Sequence, residues 1–347
     1  MPVTVVVGGQ YGSEGKGKVV AYLAKTDDVA AVVRCGGPNA GHSFEWGGTK
    51  YSLRQVPSGV INPATMLYLA PGSVVNQSVL LEEIDRYSVR KNRIRIDPLA
   101  ATVTEEDIGT EERLKLKERI GSMLSGTGAA TAKKVLRHEG VRLARDVREL
   151  EEFLADVAVE LNEFLSQGKR VIVEGTQGFG LSLHHGRHYP YATSRDTSAS
   201  GMLSEAGISP LHVDQIIMVI RTLPIRVGGD SGPLPNEISW EEVTKVSGYP
   251  IPVAEYGTVS GRLRRVARLD MSIVRRSAMV NRPTQIGLTG VDYLSYRNSG
   301  ARMFDDLIDS SKEFIVNIET ALGVPLSLIS TGPGVDNTID RRPRGAR

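Results

Sequence analysis

One cysteine, Cys35, stands alone in 347 residues, which excludes an internal disulfide and fits a reducing compartment. With no Cys/His constellation to support it, Cys35 reads as a small buried apolar residue and not as a catalytic thiol. No apolar run approaches the ~20 residues of a membrane span, and the N-terminus MPVTVVVGG carries no basic leader. Excess charge is lacking as well: 42 Lys plus Arg against 40 Asp plus Glu leave a net charge of +2. Composition therefore gives no general reason to expect a nucleic-acid or membrane partner. Repeats and low-complexity linkers are also missing. The expectation is a cytoplasmic protein that works on small molecules.

What the chain does have is a regular succession of strands and glycine loops. Strand-like runs stand at Val3 to Val7, Ala30 to Arg34, Met66 to Ala70, Arg170 to Glu174, Gln215 to Arg221, Thr284 to Leu288 and Pro325 to Ser330. The clearest helical pattern spans Val147 to Gln167, where Leu150, Phe153, Leu154, Val157, Leu161, Phe164 and Leu165 recur at three- and four-residue spacing before Gly168. Helix, short loop, buried strand and glycine loop in sequence predict an α/β fold. Its large central sheet is mostly parallel, with ligand loops at the carboxyl ends of the strands. One continuous unit over residues 1–347, with a helical insertion around 97–145, is expected in preference to two domains.

The first loop is the most informative. Gly12-Ser13-Glu14-Gly15-Lys16-Gly17-Lys18 follows strand Val3 to Val7 and resembles a phosphate loop, whose glycines let backbone N–H groups approach an anion at a helix N-terminus. The match to G-x-x-x-x-G-K-[ST] fails at Val19, where a hydroxyl would otherwise hold Mg²⁺. A second glycine turn, from Cys35 to Ser43, carries Asn39 and His42. An imidazolium there could neutralise charge moving to a leaving oxygen opposite Lys16. Taken singly, these residues have plainer readings. Thr127 and Thr193 suit turns or caps, and the arginines from Arg262 to Arg276 suit a solvated face or ion-pair network. His184, His185 and His188 lack the ligand frame of a metal site.

In order along the chain, GSEGKGK (12–18), NAGH (39–42), EGTQG (174–178), HGRHYPYATS (185–194), TVSGR (258–262), TGVD (289–292) and STGP (330–333) resemble the motifs of the adenylosuccinate synthetase family. The resemblance runs from residue 3 to about residue 340. It implies a C–N ligase that phosphorylates the 6-oxo group of a purine nucleotide and displaces the phosphate with the amine of aspartate. By motif, Ser13, Lys16 and His42 are implied as the catalytic group. Ser13, Asn39, Thr127, Gln177 and Thr193 are implied for the purine monophosphate, with Arg137 reaching it from the neighbouring subunit of a homodimer. Thr258, Val259, Ser260 and Arg262 would bind aspartate. The nucleoside triphosphate would meet Gly12, Glu14, Gly15, Lys16, Gly17, Gly41, His42, Ser43, Arg264, Thr289, Asp292, Ser330, Gly332 and Pro333. Ser13 and the Gly41 carbonyl would meet Mg²⁺.

Two departures redirect the substrate. The family's GDEGKGK has an aspartate at the position of Ser13, which takes the purine N1 proton and touches Mg²⁺; a serine hydroxyl cannot act as that base. This substitution resembles the phage branch of the family, which uses dGMP and makes the succino precursor of diaminopurine deoxynucleotides. If the chain is phage-encoded, its compartment is the host cytoplasm. Gly290 replaces the lysine of the family's guanine-reading TKxD motif while Asp292 remains, which implies ATP or dATP as phosphate donor. A third departure is the shortened stretch Ala129 to Ala132. Three functions thus stand in order of expectation: a dGMP–aspartate ligase, an ordinary adenylosuccinate synthetase using IMP and GTP, and a catalytically silent nucleotide sensor.

Overall fold

A computed structural model describes residues 2–343. Its central feature is a nine-stranded sheet whose strands begin, from edge to edge, at Thr338, Leu326, Gln285, Val213, Val3, Arg170, Val29, Met66 and Ile94. Every pairing is parallel except that of Thr338–Asp340 with Leu326–Ser330. Strands buried on both faces need continuous apolar runs, which is why Val3–Gly8 reads VTVVVG and Val29–Arg34 reads VAAVVR. All seven strands expected from the sequence are present within one or two residues at each end. The sheet also includes Ile94–Ile96 and Thr338–Asp340, both too short to stand out as periodic runs.

The long helix expected from Val147 to Gln167 is divided. Arg148–Phe153 forms 3-10 turns, and the α-helix runs only over Val157–Ser166. Between them the Ala155 amide donates to the Ile96 carbonyl, which draws the chain toward the sheet edge. Asp156 then restarts the helix by accepting the Val159 N–H. Apolar spacing carried across the break because Leu150 and Phe153 are core residues as well. The insertion expected at 97–145 holds the helices Glu105–Arg113, Leu116–Ile120 and Thr127–Leu136.

Val3–Gly8 lies at the centre of the sheet, between Arg170–Glu174 and Val213–Arg221. The loops that leave the carboxyl ends of these strands and their neighbours therefore converge along one edge, where ligands of open parallel sheets bind. Cys35, at one such end, is fully buried with its thiol pKa pushed up by burial. It is the inert residue that its isolation suggested.

Candidate active site

The convergent loops line a cleft of roughly 1050 Å³, large enough for more than one drug-sized ligand. Every residue to which the resemblance gives a site role lines it except Arg137 and Arg262. At its floor the phosphate loop leads into helix Lys16–Thr26, whose N-terminus has no side-chain cap. First-turn N–H groups left open in this way form an anion site. Gly17 is required by close approach, since a Cβ there would lie 2.5 Å from the His42 Cβ. Glu14 lines the cleft with the rest of the loop, but its carboxylate faces inward, accepting from the Gln10 and Gly12 N–H groups and pairing with Lys16 Nζ at 2.6 Å. It shapes the loop and positions Lys16. Thr289 serves the same end, its hydroxyl donating to the Glu14 carbonyl at 2.7 Å. Lys18 also lines the cleft, and its ammonium binds Ser330 Oγ and the carbonyls of Gly332 and Asn337, so it ties down the 330–337 loop. Burial lowers its pKa to about 7.

His42 sits beside Lys16 in a buried cluster not legible as such in the sequence. Its Nδ1 lies 2.5 Å from Glu174 Oε1, which also receives Arg34 at 2.9 Å and the Ser58 hydroxyl at 2.6 Å. The Ser58 N–H donates to the other carboxylate oxygen at 2.7 Å. Burial raises the Glu174 pKa, but Arg34, His42 and Ser58 more than offset this and hold it at about 2. An ionised Glu174 fixes the tautomer: Nδ1–H donates to it, and Nε2 is left for a ligand. Burial, followed by the Arg34 charge, lowers the His42 pKa to about 4. The imidazolium expected from the sequence is thus a neutral imidazole in the free protein. A polyanion arriving beside it would raise that pKa.

These shifts set a pH window. The folded His42 binds its proton near pH 4 and the unfolded one near 6.5, so its stabilising contribution is lost as pH falls from 6.5 to 4. Glu174, depressed from 4.5 to about 2, loses its contribution below pH 4.5. Thermal melts at pH 7.0, 5.5 and 4.5 should show a falling Tm, with a shallower fall between 7.0 and 4.5 in His42→Ala. Parallel slopes for the two proteins would refute the assignment.

On the opposite wall, Asn39 and Thr127 meet over Gly37, where a Cβ would lie 2.5 Å from Thr127 Cγ2 and 3.3 Å from Asn39 Oδ1. Gln177, in a left-handed conformation with φ 65°, and Thr193 face the same space. A residue missed by sequence reasoning, Glu111, accepts the N–H groups of Gly126 and Gly128 at the start of helix Thr127–Leu136. Arg137 is at the far end of that helix and is exposed, away from its own chain's cleft. Arg262 also departs from expectation: its guanidinium donates to the Gly121 and Ser122 carbonyls at 2.9 and 3.4 Å. Thr258, Val259 and Ser260 line the cleft as expected, and Thr258 Oγ1 lies 2.9 Å from Ser43 Oγ.

At the cleft's other end, Glu255 is surrounded by Arg264 at 2.8 Å, Arg221 at 2.5 Å and the Tyr293 hydroxyl at 2.9 Å. Arg264 is therefore already ion-paired, and Arg265 and Arg268 pair with Glu237 and Glu242, in line with the ion-pair reading of this arginine run. Arg221 also donates to the Ser13 carbonyl at 3.1 Å, which links this cluster to the phosphate loop.

Comparison with known proteins agrees with this geometry. The sequence profile of the family described as Adenylosuccinate synthetase matches residues 5–148 and 143–299. Adenylosuccinate synthetases of Thermococcus sibiricus and Pyrococcus horikoshii are 43% and 42% identical, each alignment covering 99% of both chains. A fully ligated adenylosuccinate synthetase from Plasmodium falciparum superimposes with TM-score 0.86 at 23% identity, over 99% of this chain and 100% of the other. The succinoaminodeoxyadenylate synthetase of cyanophage S-2L, bound to dGMP and dATP, gives TM-score 0.82 at 27% identity, over 99% and 96%. The chain belongs to the adenylosuccinate synthetase family. It is a C–N ligase that joins aspartate to a purine nucleotide.

Proposed function

We propose that this ligase acts on dGMP, with ATP or dATP as donor, and produces N6-succino-2-amino-2′-deoxyadenylate. Ser13 carries the reading. It adopts φ 57°, a left-handed conformation that Asp and Asn tolerate better than serine, so the backbone gives no reason to exchange an aspartate for serine here. Its side chain lines the cleft, and being shorter than aspartate it would leave room beside the 2-position of a purine bound there for guanine's amino group. The cyanophage relative, whose bound nucleotides are dGMP and dATP, supports the same substrate class. Overall identity favours the second reading, IMP with GTP, because the relatives at 42–43% are named adenylosuccinate synthetase.

In the reaction, the donor γ-phosphoryl passes to the purine O6, the aspartate amine attacks C6, and inorganic phosphate leaves with O6. Lys16, with the open N–H groups of its helix, receives the phosphoryl charge, while His42 Nε2 faces the transferring group. Asn39, Thr127, Gln177 and Thr193 hold the monophosphate, and Arg137 reaches it from a second copy in a homodimer. Thr258 to Ser260 hold aspartate; Arg262 joins them on release from the 121–122 carbonyls. Glu14 faces inward and is engaged by the Gln10 and Gly12 N–H groups, so it would not serve as a magnesium ligand. Ser13 Oγ and the Gly41 carbonyl would hold the ion, which would supply charge neutralisation to the donor phosphates.

Product assays with dGMP, GMP and IMP, each with aspartate, Mg²⁺ and either ATP or GTP, test the reading. Turnover of IMP with GTP but not of dGMP overturns it. Ser13→Asp should lower the dGMP/IMP ratio of kcat/KM by about ten- to two-hundredfold, the discrimination one such contact provides. An unchanged or larger ratio would show that Ser13 does not select the 2-amino purine.

A further inference from the structure

Asp292, which the motif comparison makes the donor-base reader, is not a free carboxylate. The Tyr249 hydroxyl donates to its Oδ2 at 2.5 Å, and Asp292 is itself buried. Tyr249 comes from a separate loop and packs its ring against Tyr293 and Tyr296, with centroids 5.8 and 4.7 Å away. Both Tyr249 and Tyr293 line the cleft. Beside them Gly290 has φ 76°, and a Cβ there would approach Thr222 Oγ1 at 3.1 Å. The Arg221 guanidinium lies 3.9 Å from that Cβ position, but it is already paired with Glu255.

We infer that Tyr249 is a specificity residue for the phosphate donor, setting adenine over guanine through its hydroxyl. Guanine presents N1–H and N2–H side by side, two donors that a carboxylate receives with both oxygens. Here one oxygen already accepts a phenol, so a guanine must share that oxygen with Tyr249. Adenine presents one amino donor next to the N1 acceptor. A carboxylate oxygen beside a hydroxyl donor matches that edge: Asp292 receives N6–H, and the Tyr249 O–H turns to N1. The tyrosine rings supply a stacking surface for either base. This rests on the Asp292 wall being the donor-base subsite and is independent of whether the acceptor is dGMP or IMP.

The test uses the full chain and compares wild type, Tyr249→Phe and Tyr249→Leu. For each, kcat/KM with ATP and with GTP is measured against dGMP and IMP separately, and binding of non-hydrolysable ATP and GTP analogues is measured by calorimetry. Wild type should favour ATP. Tyr249→Phe, which keeps the ring, should lower the ATP/GTP ratio at least tenfold with either acceptor, with the change in donor KM and analogue affinity and little in kcat. Tyr249→Leu should also weaken both analogues. An ATP preference that is the same in Tyr249→Phe overturns the role of Tyr249. A wild-type preference for GTP overturns the donor reading beneath it, and loss of dGMP turnover alone leaves both intact.

Discussion

His42→Ala should lower kcat by about 10²–10³ while changing the KM for each substrate only severalfold. The magnitude is that of removing one donor aimed at charge that develops in the transition state. The free protein keeps His42 neutral, held by burial and Arg34. Its interaction with ground-state nucleotide is therefore modest, and most of its effect belongs to the moment when the phosphoryl group moves and phosphate charge builds beside Nε2. Single-turnover measurement of phosphate release, with substrate affinities determined in parallel, separates the two. Equal losses in affinity and rate would make His42 a binding residue instead.

Glu174→Ala should be the most destabilising single change in the site, costing about 3–5 kcal/mol. That is the range for removing one partner of a buried ion pair and stranding the other. Arg34 is 2% exposed and Glu174 is fully buried, so solvent cannot compensate for the loss. Ser58 would lose the acceptor for its hydroxyl and its N–H in the same step. A fall in Tm, together with a fall in kcat as the His42 tautomer loses its anchor, is the expected result. Full retention of Tm would show that the cluster adds nothing to the fold. Ser58→Ala removes a single hydrogen bond and should cost far less, about 0.5–1.5 kcal/mol.

Much of the site could be read from the sequence because its residues lie on glycine loops that directly follow buried strands. Apolar runs and glycines fix where such loops begin, and parallel pairing brings them to one edge. The partners inside the protein were harder to see. Arg34 and Glu174 end apolar runs as charged residues, which is a signal, but that they face each other depends on Val29–Arg34 pairing with Arg170–Glu174 in register, Arg34 opposite Glu174. Glu14 gave no sign that it would turn inward, since that follows from its bonds to the Gln10 and Gly12 amides. Arg262 was assigned by motif alone, and its contact with the 121–122 carbonyls depends on how the insertion folds over the cleft. Tyr249 lies in no motif, and only the tertiary fold brings it to Asp292.

The central position of Val3–Gly8 also bears on how the protein is made. The strand is made before both of its neighbours in the sheet, Arg170–Glu174 and Val213–Arg221. The second is separated from it by roughly 210 residues, on the order of 10–40 s of synthesis. Until Arg170–Glu174 is made, VTVVVG is an apolar strand with both edges open, the kind of segment that invites intermolecular pairing. The phosphate loop, with its wall tethered by Lys18 to Ser330 and Asn337, is completed only when the last strands arrive. A nascent chain therefore holds its phosphate-loop residues long before Ser330 and Asn337, which complete the wall around them, have been made.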